Sequence, residues 1–274
     1  AVSPSPVRKR RRPATLGPFL RTAALGALLV NAACGAAGEA DTDGPGRGPL
    51  EGPLLVSAAS SLTDAFREVA DAFEARHPGV SVQLNLAGSA TLTAQILEGA
   101  PVDVFAPADP SHMDAVARAG GLAGPAHRFA GNRLALVVPA GNPGGVRGLE
   151  DLAREELLVG LCAQGVPCGD LAREALSQAG IAPATDTEEP RVRALLTRVE
   201  LGELDVAVTY ATDVLAAGDA VEGIPLPEAY DPTARYPVAA LAGAPAPRVA
   251  DAFVDFVRGD EAAAILRRHG FVVP

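Results

Sequence analysis

The chain has 274 residues, 48% hydrophobic and 20% charged, which suits one large globular domain or two smaller ones sharing a core. A formal net charge of −10 and an aromatic share of 4%, without Trp, argue against binding a phosphate backbone or stacking single-stranded nucleic acid. Three Cys exclude a disulfide-dense scaffold and a four-Cys zinc site.

The charge is unevenly spread. Residues 1–33 contain Arg8, Lys9, Arg10, Arg11, Arg12 and Arg21 and no acid; the remainder holds 17 basic and 33 acidic residues, a net of −16. The basic run, the short apolar stretch Thr22–Val30 and the small residues that follow have the layout of a secretory signal peptide. The stretch is too short to span a bilayer permanently. A leader over 1–33 and export are therefore expected. The residues before Cys34 resemble a bacterial lipobox, which makes Cys34 a candidate for lipidation. Asn31 stands where Leu is usual, and Val30-Asn31-Ala32 also fits an ordinary cleavage site. Residues 34–52, rich in Gly, Ala, Asp and Pro, read as a flexible tether.

From Leu54 onward strands and helices alternate. Leu54–Ala58 reads as a strand, and Leu62–Arg76 has apolar residues at helical spacing. Val80–Leu86 alternates as a strand, and Ala90–Glu98 is a helix stopped by Gly99. Val102–Ala106, Arg133–Pro139, Leu157–Cys162, Val206–Tyr210 and Val238–Ala242 read as further strands. Helices are expected over Ser111–Ala119, Leu149–Arg154, Asp170–Ala179, Arg191–Leu201, Val249–Val257 and Ala262–His269. This alternation implies parallel sheets covered by helices, in two α/β lobes.

Ligands of α/β folds sit where strands end and helices begin. Four junctions share one character: Ala58–Asp64, Ala87–Thr91, Val166–Asp170 and Glu189–Arg193. The first two are small and rich in hydroxyls; the last two are led by Pro, a residue suited to a helix start. Each alone also fits an ordinary helix cap.

In order, these junctions resemble those of the molybdate-binding proteins of bacterial ABC importers. The stretches that carry the resemblance are VSAASSLTDAF, LAGSATLTAQILEGAPVDVFAPAD, GVPCGDLAREAL, PRVRALLTRVELGELDVAVTYATD and AFVDFVRGDEAAAILRRHGF. It spans nearly all of the chain beyond Leu54. It implies a two-lobed periplasmic-binding-protein fold of type II, each lobe a mostly parallel sheet flanked by helices. Lobe 1 would comprise 53–131 and 237–274, lobe 2 would comprise 132–236, and the ligand would lie between them. The resemblance also places an oxyanion site on five positions. Ser61 and Ser89 would donate through hydroxyl and backbone N–H, Cys168 and Val192 through backbone N–H, and Tyr210 through its phenol. Molybdate or tungstate would be the ligand, with the metal reached only through the anion's oxygens. A membrane permease would be the partner. No cofactor, enzymatic activity or nucleic-acid partner is implied, and a monomer is expected, either anchored through Cys34 or free outside the cytoplasm.

The residue chemistry agrees. Molybdate near neutral pH is a dianion without protons, so it only accepts hydrogen bonds. Helix N-termini offer free N–H groups and a partial positive charge, and hydroxyls add donors without a full charge to desolvate. Local donors of this kind let a strongly acidic chain bind an anion, because the global field is screened. Sulfate is also proton-free and differs in size, so cavity radius would have to separate the two. Cys162 and Cys168, six apart, fit a disulfide in an exported protein; a zinc pair or two free thiols are the alternatives. Two rival functions remain. A ferric-ion receptor would need clustered phenolates among Tyr210, Tyr230 and Tyr236. A serine hydrolase using Ser61 or Ser89 would need a partnered His, and none of the four His sits in a hydrolase motif.

Overall fold

A computed structural model describes residues 48–274, which form one compact unit. The expected leader, Cys34 and the tether up to residue 47 lie outside the described residues. No described helix is long and apolar enough to cross a membrane.

The first sheet has the order β2-β1-β3-β10-β4, formed by Gly79–Ala87, Glu51–Ala59, Val104–Ala106, Ala234–Ala240 and His127–Asn132. The second has the order β7-β6-β8-β5-β9, formed by Thr185–Glu189, Val159–Cys162, Val206–Tyr210, Leu134–Pro139 and Val221–Pro225. Helices α1 (Thr63–Arg76), α2 (Ser89–Leu97) and α3 (Pro110–Arg118) follow the first three strands. Helices α4 (Pro167–Ala179), α5 (Val192–Glu200) and α6 (Ala211–Ala217) follow β6, β7 and β8. Two closing helices, α7 (Pro247–Val257) and α8 (Asp260–Arg268), return to the first lobe. Helix α1 forms because Ala65, Phe66, Val69 and Phe73 recur on one face, and all four are buried.

Several expectations are corrected. The first strand begins at Glu51, because Glu51, Gly52 and Pro53 continue the parallel ladder against Gly79, Val80 and Ser81; residues 51–52 are therefore not tether. Each sheet is mostly parallel, as expected: four of its five strands run one way, and a single reversed strand, β10 in the first sheet and β5 in the second, pairs antiparallel with both of its neighbours. The chain crosses to lobe 2 at Arg133, between β4 and β5, and returns between β9 and β10. Residues 234–236, expected in lobe 2, thus pair with β4 in lobe 1.

Four elements have no counterpart in the sequence reading: β4, β7, α6 and β9. The three strands are all sheet edges. An edge strand buries less, so the apolar alternation that marks a strand is weak there: β7 is TDTEE and β9 is VEGIP, both largely exposed.

Candidate functional site

Six strand-to-helix junctions converge on one cavity between the sheets. From lobe 1 come Ser60 and Ser61 after β1, Gly88 and Ser89 after β2, and Ala108 after β3. From lobe 2 come Val166, Pro167 and Cys168 after β6, Arg191 and Val192 after β7, and Tyr210 at the end of β8. The five positions singled out from the sequence, Ser61, Ser89, Cys168, Val192 and Tyr210, all line this cavity and all are buried. The cavity is tight in this closed form, with space for about one water molecule and none for an extended organic solute.

The polarity of the lining is one-sided. Ser89 Oγ accepts a hydrogen bond from Ala108 N–H at 3.0 Å, so the Ser89 proton remains to be given elsewhere. Ser61 Oγ lies 3.0 Å from the Tyr236 hydroxyl, which also receives Asn132 Nδ2 at 3.4 Å. With Asn132 donating to it, Tyr236 can give its own proton to Ser61 Oγ, which frees the Ser61 proton for the cavity. Asn132 is held in turn by Thr212, whose Oγ1 accepts from Nδ2 at 2.7 Å.

Lobe 2 presents donors differently. Pro167 opens α4, and Cys168 stands next to it in the first turn, where N–H groups precede the helix's own ladder. Cys168 is joined to Cys162, at the end of β6, by a disulfide with a Cα–Cα distance of 5.9 Å. The turn between them is tight: a Cβ on Gly169 would stand 2.3 Å from Ala163 O and 2.4 Å from Cys162 O. Val192 is the first residue of α5. The buried Tyr210 hydroxyl makes no hydrogen bond of good geometry among the described residues, with the Tyr236 hydroxyl close by. Burial pushes the Tyr210 phenol well above its ordinary pKa, and Tyr236, Asp213 and Asp109 nearby push the same way. It therefore stays protonated and can donate.

No Asp or Glu lines the cavity. The lining combines hydroxyls, first-turn backbone N–H groups and one exposed cation, Arg191. Such a surface suits a small anion that carries no proton of its own.

The model of the family described as bacterial extracellular solute-binding protein matches residues 54–272. The chain belongs to this family. Among the family's similar proteins, the molybdate-binding protein ModA of Mycobacterium tuberculosis is 37% identical over 259 residues, covering 93% of this chain and 98% of that protein. The solved periplasmic molybdate-binding protein of Azotobacter vinelandii superposes with a TM-score of 0.72 at 21% identity, covering 81% of this chain and 99% of that one. The sulfate-binding protein SubI from Mycobacterium tuberculosis also superposes with a TM-score of 0.72, at 19% identity, over 81% of this chain and 86% of that one. These two superpositions establish a solute-binding-protein fold. Asn132 was not legible from the sequence, nor were the parts played by Tyr236, by Gly88 and by the Arg193–Asp213 pair, although Gly88 and Arg193 fall within the junctions singled out. Only the 1–4 residue neighbourhood of each junction was legible, and Tyr236 and Asn132 come from strands far away in the chain.

Of the rival functions, neither finds its constellation. Tyr210 and Tyr236 do approach, with ring centroids 6.2 Å apart, but no group of His, Cys, Asp and Glu able to hold a metal occurs among the described residues. Among the described residues neither Ser61 nor Ser89 hydrogen-bonds a His.

Proposed function

We propose that this chain captures molybdate, and tungstate comparably, outside the cytoplasm and hands it to an ABC import permease. It acts as a binding protein without catalysis or cofactor. The observation that carries this reading is the lining of the small cavity, which holds donors and no acceptor carboxylate. Ser61, Ser89 and Tyr210 would give hydroxyl protons to the anion, and Cys168 and Val192 would give backbone N–H groups.

The donor set explains which anions are refused. Phosphate near pH 7 carries at least one proton, for which the cavity has no carboxylate acceptor, and a proton left unpaired in a buried site costs about 1–3 kcal/mol. Molybdate and sulfate carry none. The relation to ModA, at 37% identity across nearly the whole chain, favours molybdate. Sulfate is the second reading, because a donor-only lining accepts any proton-free dianion of suitable radius.

Calorimetric titration with molybdate, tungstate, sulfate and phosphate tests the proposal. Tight binding of the first two, with sulfate weaker and phosphate absent, is expected. Sulfate bound more tightly than molybdate would transfer the function to sulfate; phosphate binding would overturn the donor-only account.

A further inference from the structure

One guanidinium outside the cavity ties together three of the elements that surround it. Arg193, on α5 of lobe 2, donates from Nη2 to Asp64 Oδ2 at 2.6 Å; Asp64 stands on α1 of lobe 1. Arg193 Nε meets Asp213 Oδ1 at 3.0 Å, and the other oxygen of Asp213 accepts Tyr210 N–H at 3.2 Å. Asp213 is fully buried, whereas the Asp64 side chain is 37% exposed. Arg193 thus fastens the helix that follows Ser61, the helix that begins at Val192 and the backbone of Tyr210. It does not line the cavity; with Asp64 it lines the adjoining groove of about 270 Å³.

A second contact between the lobes lies at the start of the same helix, α5. Gly88, just before Ser89 in lobe 1, lies flush against Pro190 in lobe 2: a Cβ at position 88 would stand 2.6 Å from Pro190 O and 3.4 Å from Arg191 Cγ. The lobes meet here backbone to backbone, and only Gly lets them approach so closely.

We propose that Arg193, with Asp64 and Asp213, is a clasp that holds the lobes shut over the anion, so that it sets the rate of release without touching the ligand. The role follows from differential contacts: the Asp64–Arg193 pair joins residues 129 positions apart on different lobes, so opening the cleft breaks it, while the Arg193–Asp213 half stays inside lobe 2. The partner Asp64 also lies 3.7 Å from Arg67 on its own helix, so a carboxylate released from Arg193 keeps a local cation. This inference rests on the anion-capture reading above.

The test uses wild type, Asp64→Ala and Gly88→Ala, each probed for molybdate dissociation by stopped-flow, for lobe separation without anion by a donor–acceptor dye pair, and for thermal stability. Asp64→Ala removes a half-exposed ion pair and should speed dissociation about threefold, with the association rate and melting temperature little changed. Gly88→Ala, which wedges the lobes apart at Pro190, should speed it about tenfold. Both should lengthen the distance between lobes in the empty protein. A wild-type dissociation rate in Asp64→Ala overturns the clasp whatever Gly88→Ala does, as does a slower rate or an unchanged lobe distance in that variant. If wild type fails to bind molybdate at all, the anion reading falls, and the lobe-distance measurement alone still decides whether Asp64 and Gly88 hold the lobes together.

Discussion

Lobe 1 and lobe 2 follow one topology and fill it with different chemistry. Each has a parallel trio on one side, then one reversed strand and a fourth strand parallel to the trio, in the same order, so β1, β2 and β3 correspond to β6, β7 and β8. All seven Phe of the described chain lie in lobe 1, where Phe66, Phe73, Phe129, Phe253, Phe256 and Phe271 form ring contacts with one another or with Tyr236. Lobe 2 has none; its core is Leu and Val from β5, β6, β8 and α5, with Tyr210 at the edge. One sheet order therefore tolerates an aromatic or an aliphatic filling, provided volume and patterning are kept. The site divides along the same line. Lobe 1 offers Ser hydroxyls whose protons are steered by neighbouring polar groups. Lobe 2 offers backbone N–H groups held by Pro, a disulfide and helix geometry, plus one phenol that makes no hydrogen bond of good geometry. Steered hydroxyls are vulnerable to side-chain replacement; backbone donors are not.

This contrast can be broken most sharply in lobe 1. Ser89→Ala removes a hydroxyl donor and strands the Ala108 N–H, so molybdate affinity should fall about a hundredfold in calorimetry. Ser61→Ala should cost about tenfold to a hundredfold, because Tyr236 keeps Asn132 as a partner. Affinities unchanged in both would dissolve the distinction between the lobes.

In lobe 2, Tyr210→Phe should move two quantities in opposite directions. Affinity should fall about tenfold with the loss of one donor, while the empty protein should gain about 1 kcal/mol or more in chemical denaturation, because a buried hydroxyl without a hydrogen bond of good geometry is removed. Loss of both would show that the hydroxyl has a partner in the empty state.

The double variant Cys162→Ala, Cys168→Ala should lower stability by about 2 kcal/mol, the chain-entropy value for so short a loop, and leave molybdate affinity within a few-fold of wild type. An affinity loss larger than that of Ser61→Ala would mean that the covalent link, not the backbone, positions the donor.

The smallest expected effect concerns protons. Burial raises the Asp213 carboxyl to about 7, against the pull of Arg193, from an ordinary value of 3.8 that the unfolded chain restores. The folded state thus holds this proton more tightly than the unfolded one. The group's contribution to stability is full below about pH 4 and is lost as pH rises through about 7. Arg193→Gln removes the charge that lowers this carboxyl and should raise its titration midpoint above 7 in a carbon-detected NMR titration; an unmoved midpoint would separate the two groups.

Much of this was legible locally. Ser61, Ser89, Cys168, Val192 and Tyr210 stand at junctions where a strand-like run gives way to a helical period, and that change of period is written within a few residues. Helices with strong apolar faces, such as α1 and α7, were legible for the same reason. The polar edge strands β7 and β9 were not, unlike the alternating edge strand β2: they carry too little apolar alternation, and they exist because a neighbouring strand offers them a ladder.

What the sequence by itself determined is the alternation of elements and the residue types at their junctions, since both depend on short-range periodicity and capping. Only the tertiary structure decided that six junctions meet in one small cavity, that Tyr236 stands behind Ser61 from 175 residues away, and that Gly88 and Arg193 are contacts between lobes. Those relations depend on where the chain crosses at Arg133 and returns before Ala234. They are set by packing between distant segments, which leaves no periodic mark on the residues that take part.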